Sequence, residues 1–422
     1  MSWRSLYSLA WRLALPLARR YLRKRGQKAP AYLEHWDERF GSAFAPRAQE
    51  AIWLHAVSVG ETRAAQPLVA ALRAAWPEAP LLVTQMTPTG RATAVSLYPD
   101  AEVRYLPYDI PEAVQGFLAA YKPRFGVLME TELWPNLIHA AQSAGVPLFL
   151  ANARLSEKSF KGYRRVGGLI RPAVAALSGV AAQTAADAQR LAELGAQPVE
   201  MCGNTKYEVA VPDAMRLLGA DFKRWIGKRP VFVAASTRDG EEKLLLEAWQ
   251  RRGPGAGKAL LVIVPRHPER FAPVAELARE MGFEVARRSA GELALRPQCD
   301  VWIGDSMGEL FAYYAAADVA FVGGSLLPLG GQNLIEPACL GVPVLFGPSM
   351  FNFQQASELA LAAGAARQLS DADAVVAAFA RLLAEPAERE AMRAGAEAFS
   401  SAHRGASARI VSFIQARLAE GK

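Results

Sequence analysis

A chain of 422 residues, half of them hydrophobic and about one fifth charged, is long enough for two ordinary domains with two cores. Its formal charge of +7 is concentrated at one end: residues 1–28 hold eight Arg or Lys and no acid, and the remainder carries 40 bases against 41 acids. A near-neutral body excludes a broad basic face for nucleic acid, and three widely spaced cysteines, Cys202, Cys299 and Cys339, exclude a disulfide framework.

The first predicted element is the basic segment 1–28, where Trp3, Leu6, Tyr7, Leu9, Trp11, Leu13, Leu15, Leu17, Tyr21 and Leu22 are interspersed with the bases. A membrane span needs roughly 20 mostly apolar residues, and Arg12, Pro16 and Arg19 interrupt every such window. The positive charge follows the apolar stretch instead of preceding it, contrary to a signal peptide. Aromatics with Arg and Lys suit a helix lying on the anionic lipids of a cytoplasm-facing leaflet. The plainer reading is a basic amphipathic helix packed on its own protein.

From Ala51 onward short Val-, Leu- and Ile-rich runs alternate with Ala-rich segments of helical spacing. Strands are expected at 52–57, 81–85, 103–106, 125–129, 147–150, 179–182 and 199–202, then at 231–235, 260–264, 301–303, 319–322 and 344–346. Apolar runs separated by helices predict parallel sheets covered on both faces. The pattern pauses at Val211, Pro212 and Asp213, which sets expected domains at 29–212 and 213–422. The final helix is one that can return to the first half. The fold class expected is α/β, two doubly wound Rossmann-like domains facing a cleft, with a single eight-stranded barrel as the rival.

Some motifs fail on spacing. The glycines of Gly253-Pro-Gly-Ala-Gly-Lys258 do not match a phosphate loop, Ala259 replaces the required hydroxyl, and the segment precedes a strand, so it reads as a surface turn. No GxGxxG follows a strand, and the five histidines are isolated from one another, so neither a dinucleotide nor a metal is indicated.

The most informative stretch is Ile52–Glu61, IWLHAVSVGE, an apolar strand ending in a turn that opens a helix. It sets a carboxylate, Glu61, at the carboxyl end of a strand, where open α/β sheets bind ligands. Two readings stay open: Glu61 is a reacting base, or Ser58 and Glu61 form an S-x-x-E capping box. In the second half, strand–turn–helix segments repeat this placement. Ser236 and Thr237 follow one strand, Arg266 and His267 the next, and the turn Gly304–Glu309, with Ser306, Met307, Gly308 and Glu309, follows a third. After the fourth come Gly330, Gly331, Asn333 and Glu336. Pro337 confines Glu336 to the start of its helix, where N–H groups favour an anion and a carboxylate can accept from a ribose diol. Each turn alone is explicable as loop or cap; four at one edge suggest a nucleotide pocket.

Six segments in order, HAVSVGE (55–61), METELWPNL (129–137), NARLSEKSFKGY (152–163), GNTKYE (203–208), PRHPER (265–270) and GGQNLIEP (330–337), resemble the 3-deoxy-D-manno-octulosonic acid (Kdo) transferases of Gram-negative lipid A assembly. The resemblance implies a two-domain GT-B glycosyltransferase, CMP-Kdo as donor, a tetraacylated lipid A precursor as acceptor, no cofactor or metal, and an inner-membrane location on the cytoplasmic face. It implies Glu61 as the base of an inverting transfer. The basic cluster Arg154, Lys158, Lys161, Arg164 and Arg165 then suits acceptor phosphates, Glu130 and Glu132 position acceptor hydroxyls or assist Glu61, and Lys206 reaches the donor carboxylate. Rival functions are an epimerase or hydrolase acting on a nucleotide sugar, and a noncatalytic nucleotide-sugar sensor at a membrane.

Overall fold

The computed structural model describes residues 2–209, 211–251, 258–291, 295–402 and 404–420. It divides into two compact units, Met1–Glu208 with Arg404–Lys422, and Val209–His403. The boundary falls a few residues before the pause in the sequence pattern, and the last helix, Ala406–Glu420, belongs to the first unit. There Phe413 lies against Phe149 at 6.4 Å, and Arg409 donates to the Cys202 carbonyl at 2.9 Å. The glycine-rich turn at 253–258 lies almost wholly outside the described residues.

The first sheet contains β1 (Ile52–His55), β2 (Leu81–Gln85), β3 (Glu102–Tyr105), β4 (Phe125–Met129), β5 (Leu148–Ala153), β6 (Gly179–Ala182) and β7 (Val199–Met201), in the order β3-β2-β1-β4-β5-β6-β7. All its pairings are parallel. Alternation of side chains sends Trp53, Leu82 and Leu128 to one apolar layer and Leu54, Val83 and Val127 to the other, so the central strands must be apolar throughout. Chain order reverses between β1 and β4.

The second sheet contains β8 (Val231–Thr237), β9 (Leu260–Pro265), β10 (Val285–Arg287), β11 (Val301–Ile303), β12 (Val319–Val322), β13 (Val344–Phe346) and β14 (Ala366–Gln368), also all parallel, in the order β10-β11-β9-β8-β12-β13-β14. Phe232 and Ala234 face one layer, Val231, Val233 and Ala235 the other. Its reversal lies between β8 and β12. Both sheets are open, so the barrel alternative is excluded. The two edge strands β10 and β14 escaped the sequence reading because Val-Ala-Arg and Ala-Arg-Gln lack an apolar run.

The N-terminal helix, Trp3–Lys28, is held to its own unit along one side: Tyr7 donates to Asp109 at 3.0 Å, Ser8 to Asn136 at 3.0 Å, and Arg19 sits 4.9 Å from the Phe40 ring centre. Its opposite side exposes Trp3, Leu6, Leu9, Leu13, Leu17 and Tyr21, with Leu13 at 71% and Leu17 at 69%. Spacing of three and four residues puts these on one face. Among the described residues no helix is long and apolar enough to cross a membrane.

Candidate active site

At the carboxyl edge of the first sheet, β1 ends at His55 and Ser58 caps the helix Val59–Ala64. The Glu61 N–H donates to Ser58 Oγ at 3.3 Å, while Glu61 Oε1 accepts from the Ser58 hydroxyl at 3.0 Å and Oε2 from the Val57 N–H at 2.9 Å. Ser58 thus caps the helix, while the Glu61 carboxylate closes the turn on the N–H of Val57, one residue before the N-cap, in place of the Ser58 N–H of a regular S-x-x-E box. This leaves each carboxylate oxygen with one protein donor and further acceptor capacity, so the cap fixes the group without saturating it.

The neighbouring strand ends add charge. Glu130, directly after β4, has φ +57°, a left-handed conformation that is uncommon for Glu. Its Oε1 lies 2.6 Å from Lys206 Nζ. Glu132 accepts from Trp134 Nε1 at 2.6 Å. Burial raises the Glu61 pKa and the Glu130 charge adds to it, against the Val57 N–H, Ser58 and Lys206. Burial, with the charges of Glu61 and Glu130, likewise pushes Glu132 up to about 7 despite the Trp134 hydrogen bond. His55, wholly buried at the end of β1, is pushed down to about 3 by burial and is neutral at ordinary pH.

Two asparagines near this edge were missed in the sequence. Asn152, on β5, has φ +52° and accepts the Thr205 N–H at 3.0 Å, and Asn204 Nδ2 donates to Gln183 at 3.0 Å. Asn152 fixes the GNTKY segment and hence Lys206. The available signal was an Asn inside an otherwise apolar strand, a residue that tolerates left-handed backbone.

The predicted acceptor cluster lies on and before the helix Glu157–Arg165. Arg154, Lys158, Lys161 and Arg164 are exposed; Lys161 pairs with Glu157 at 3.2 Å, and Arg164 lies 5.6 Å from the Phe160 ring centre. The Arg154 carbonyl accepts from Thr131 at 2.8 Å, tying this segment to the loop that carries Glu130 and Glu132. Lys206, expected to reach the donor carboxylate from just before the domain boundary, lies in the first unit and pairs with Glu130.

In the second unit the other predicted donor residues sit at four adjacent strand ends, those of β11, β9, β8 and β12. Ser236 has φ +54°, and Thr237 Oγ1 donates to the buried Glu242 at 3.1 Å. The Arg266 N–H reaches the Thr237 carbonyl at 3.0 Å, leaving the Arg266 and His267 side chains exposed. Ser306 donates to Glu309 at 2.6 Å, Glu309 is held by Arg288 at 3.0 Å, Gly308 has φ +82°, and Met307 is exposed.

The glycine-rich turn differs in one respect from the sequence expectation. The Gly330 N–H donates to Ser349 and the Gly331 N–H to the Gly324 carbonyl, at 3.0 and 2.7 Å, so neither is directed at a ligand. Both glycines have positive φ, and a Cβ would collide with Asn352 and Phe351 at Gly330 and with Met350 at Gly331. Their smallness serves close packing of two loops. The helix that follows, Ile335–Ala338, is a single turn capped by Asn333 Oδ1 on the Ile335 N–H at 3.0 Å, and Asn333 Nδ2 donates to Glu336 at 3.1 Å. Among the described residues no group of three or more His, Cys, Asp or Glu is arranged to hold a metal ion.

Residues 34–209 match the family model described as 3-deoxy-D-manno-octulosonic-acid transferase. The 3-deoxy-D-manno-octulosonic acid transferase of Bordetella pertussis is 43% identical over 98% of this chain and 99% of its own, and that of Haemophilus influenzae 35% identical over 98% of each. Among solved structures, UDP-GlcNAc 2-epimerase from Neisseria meningitidis is similar at TM-score 0.58 and 15% identity, covering 86% of this chain and 99% of that one. At that identity the likeness concerns the fold alone, the GT-B type of two doubly wound domains. With full-length relatives at this level of identity, the chain belongs to the Kdo transferase family of glycosyltransferases.

Proposed function

We propose that this protein transfers Kdo from CMP-Kdo to a tetraacylated lipid A precursor with inversion, Glu61 acting as general base. The observation that carries this reading is the position of Glu61 at the reversal point of the first sheet, its basicity raised by burial and by Glu130. An acceptor hydroxyl forms a bond to the anomeric carbon of Kdo while the bond from that carbon to the phosphate oxygen breaks. The electron pair departs with CMP, and the hydroxyl proton passes to the Glu61 carboxylate. Raised basicity suits proton acceptance near neutral pH. The Val57 N–H, then Ser58 and Lys206, act against that rise.

The second unit takes the nucleotide, with Arg266 and the loops of Ser236, Thr237, His267, Ser306, Met307, Gly308, Glu309, Gly330, Gly331, Asn333 and Glu336 contributing. A monophosphate leaving group carries little charge, and an arginine with preorganised dipoles suffices to stabilise it. Arg154, Lys158, Lys161 and Arg164 receive acceptor phosphates. The exposed apolar face of the N-terminal helix, Trp3 to Tyr21, and its many bases suit an anionic lipid surface, which is where a lipid acceptor would be met. We place the protein at the cytoplasmic face of the inner membrane.

The test is incubation with CMP-Kdo and lipid A precursor while CMP and acceptor mass are followed. Wild-type protein is expected to release CMP only with acceptor present, and Glu61→Gln, which keeps the cap, to lose about 10²- to 10⁴-fold in turnover. Donor consumption without acceptor identifies a hydrolase or epimerase, and donor binding without CMP release a sensor. Unchanged turnover in the Gln variant removes Glu61 as the base.

A further inference from the structure

Glu241 opens the helix Glu241–Arg251 after β8 and is 0% exposed. A buried carboxylate must be matched by donors, and here all four are backbone N–H groups. Oε1 accepts from Ser325 and Leu326, each at 2.9 Å; Oε2 accepts from Gly324 at 2.6 Å and Arg238 at 2.9 Å. Only Arg238 belongs to Glu241's own turn, as in a capped helix. The other three N–H groups come from the turn after β12, more than eighty residues along the chain.

Three successive N–H groups converging on one anion form a nest, the kind of concavity that binds phosphates. In this protein a side chain of the same unit fills it. The bond network joins the two strand ends where chain order reverses, β8 and β12. It continues through the Gly331 N–H to the Gly324 carbonyl and through the Gly323 N–H to Ala235. The adjacent Glu242 is also buried and holds Thr237 and Arg270 at 3.1 and 3.3 Å. One carboxylate thereby clamps the loop bearing Ser236 and Thr237 to the loop bearing Gly330, Gly331, Asn333 and Glu336.

We propose that Glu241 is a positioning residue for the donor: by occupying the nest of the β12 turn it fixes the two loops between which the nucleotide sugar is read. This role rests on the reading that the second unit holds CMP-Kdo. It also means that the donor phosphate is received elsewhere than by the N–H groups of Gly324, Ser325 and Leu326.

The test uses the full chain and Glu241→Gln. Gln preserves volume but turns one oxygen into an NH₂ group that accepts nothing, and in either orientation it confronts two N–H donors. CMP dissociation constant and donor KM are expected to rise about tenfold or more, with acceptor KM unchanged. A variant that melts earlier yet binds CMP and CMP-Kdo as wild type does would reduce Glu241 to a structural residue and overturn the proposal. Amide hydrogen exchange on wild-type protein tests it even where the variant does not fold. The Gly324, Ser325 and Leu326 amides are expected to be protected without CMP, with little further protection when CMP is added. Fast exchange that slows only on CMP addition would show that ligand, not Glu241, fills the nest. Wild-type protein that binds no CMP brings down the donor reading and this role with it, whereas wild-type binding with an unaltered Glu241→Gln removes the positioning role alone.

Discussion

At the carboxyl edge of the first sheet Glu61 and Glu130 interact with Lys206, and Glu132 interacts with both acids; at that of the second, five acids near the strand ends have counterparts. Asp239 and Glu242 pair with Arg270 at 2.8 and 3.3 Å, Asp305 with Arg287 at 2.7 Å, Glu309 with Arg288 at 3.0 Å, and Glu241 with backbone N–H groups. The two sheets share their parallel winding and a reversal point, so topology does not cause the difference. Charge balance does. Uncompensated carboxylates raise one another's basicity, which equips the first edge to take a proton. Compensated acids remove negative charge from the second edge and leave it able to receive an anion.

This division predicts that damage to each edge has its own kinetic signature. After Glu61→Gln, the largest effect is expected from Gly331→Ala. The position has φ +74°, where a side chain costs about 1–2 kcal/mol, and the added methyl meets Met350. CMP affinity measured by calorimetry should fall by well over tenfold, while kcat at saturating donor stays within about threefold. A collapse of kcat with CMP affinity intact would break the division between the two edges.

Much of this was legible in the residues. The apolar runs marked twelve strands because central parallel strands are buried on both faces, and the loops at their carboxyl ends exposed Glu61 and the donor residues in order. What escaped was whatever depends on pairing across distance. Glu241 reads locally as an acid at a helix start, an ordinary complement to the dipole, and nothing in Gly323-Gly-Ser-Leu326 announces that its N–H groups point at that acid. Gly330 and Gly331 suggested room beside the backbone, and the side on which a Cβ would stand is taken by residues 349–352, with the Gly330 N–H bonded to Ser349. Lys206 stands in the sequence near the domain boundary, and only the turn fixed by Asn152 shows that it pairs with Glu130. Hydrogen bonds between segments fifty or more residues apart leave no periodic trace.

A moderate effect is expected from Glu132→Gln, and its sign depends on pH. The folded protein holds this carboxyl at about 7 against an ordinary 4.5, so the fold binds its proton more tightly than the unfolded chain does. That contribution is complete below about pH 4.5 and lost as pH rises through 7. Gln removes the loss: stability at pH 8 should rise by about 1–3 kcal/mol and at pH 4 barely change, as read from urea melts at the two pH values. Because the Glu61 charge helps to hold Glu132 up, the Glu132 titration profile followed by carboxyl NMR should move to lower pH in Glu61→Gln. A profile that does not move would detach Glu132 from the carboxylate group and shrink the first edge to Glu61 and Glu130.

The smallest effect concerns the basic helix beside that edge. Lys158, Lys161 and Arg164 are exposed, and Lys161 is paired only with the equally exposed Glu157, a contact of the kind that contributes little to folding. Replacing all three with Ala should therefore leave the melting temperature unaltered. If these side chains meet acceptor phosphates, acceptor KM should rise by about two- to fivefold at low salt, and the difference should fade near 1 M salt, where the screening length is roughly 3 Å. Donor KM should stay put, because the donor loops belong to the other unit. An acceptor KM indifferent to the triple substitution at low salt would make the helix an ordinary solvated face and leave recognition of the acceptor to the three carboxylates and Lys206.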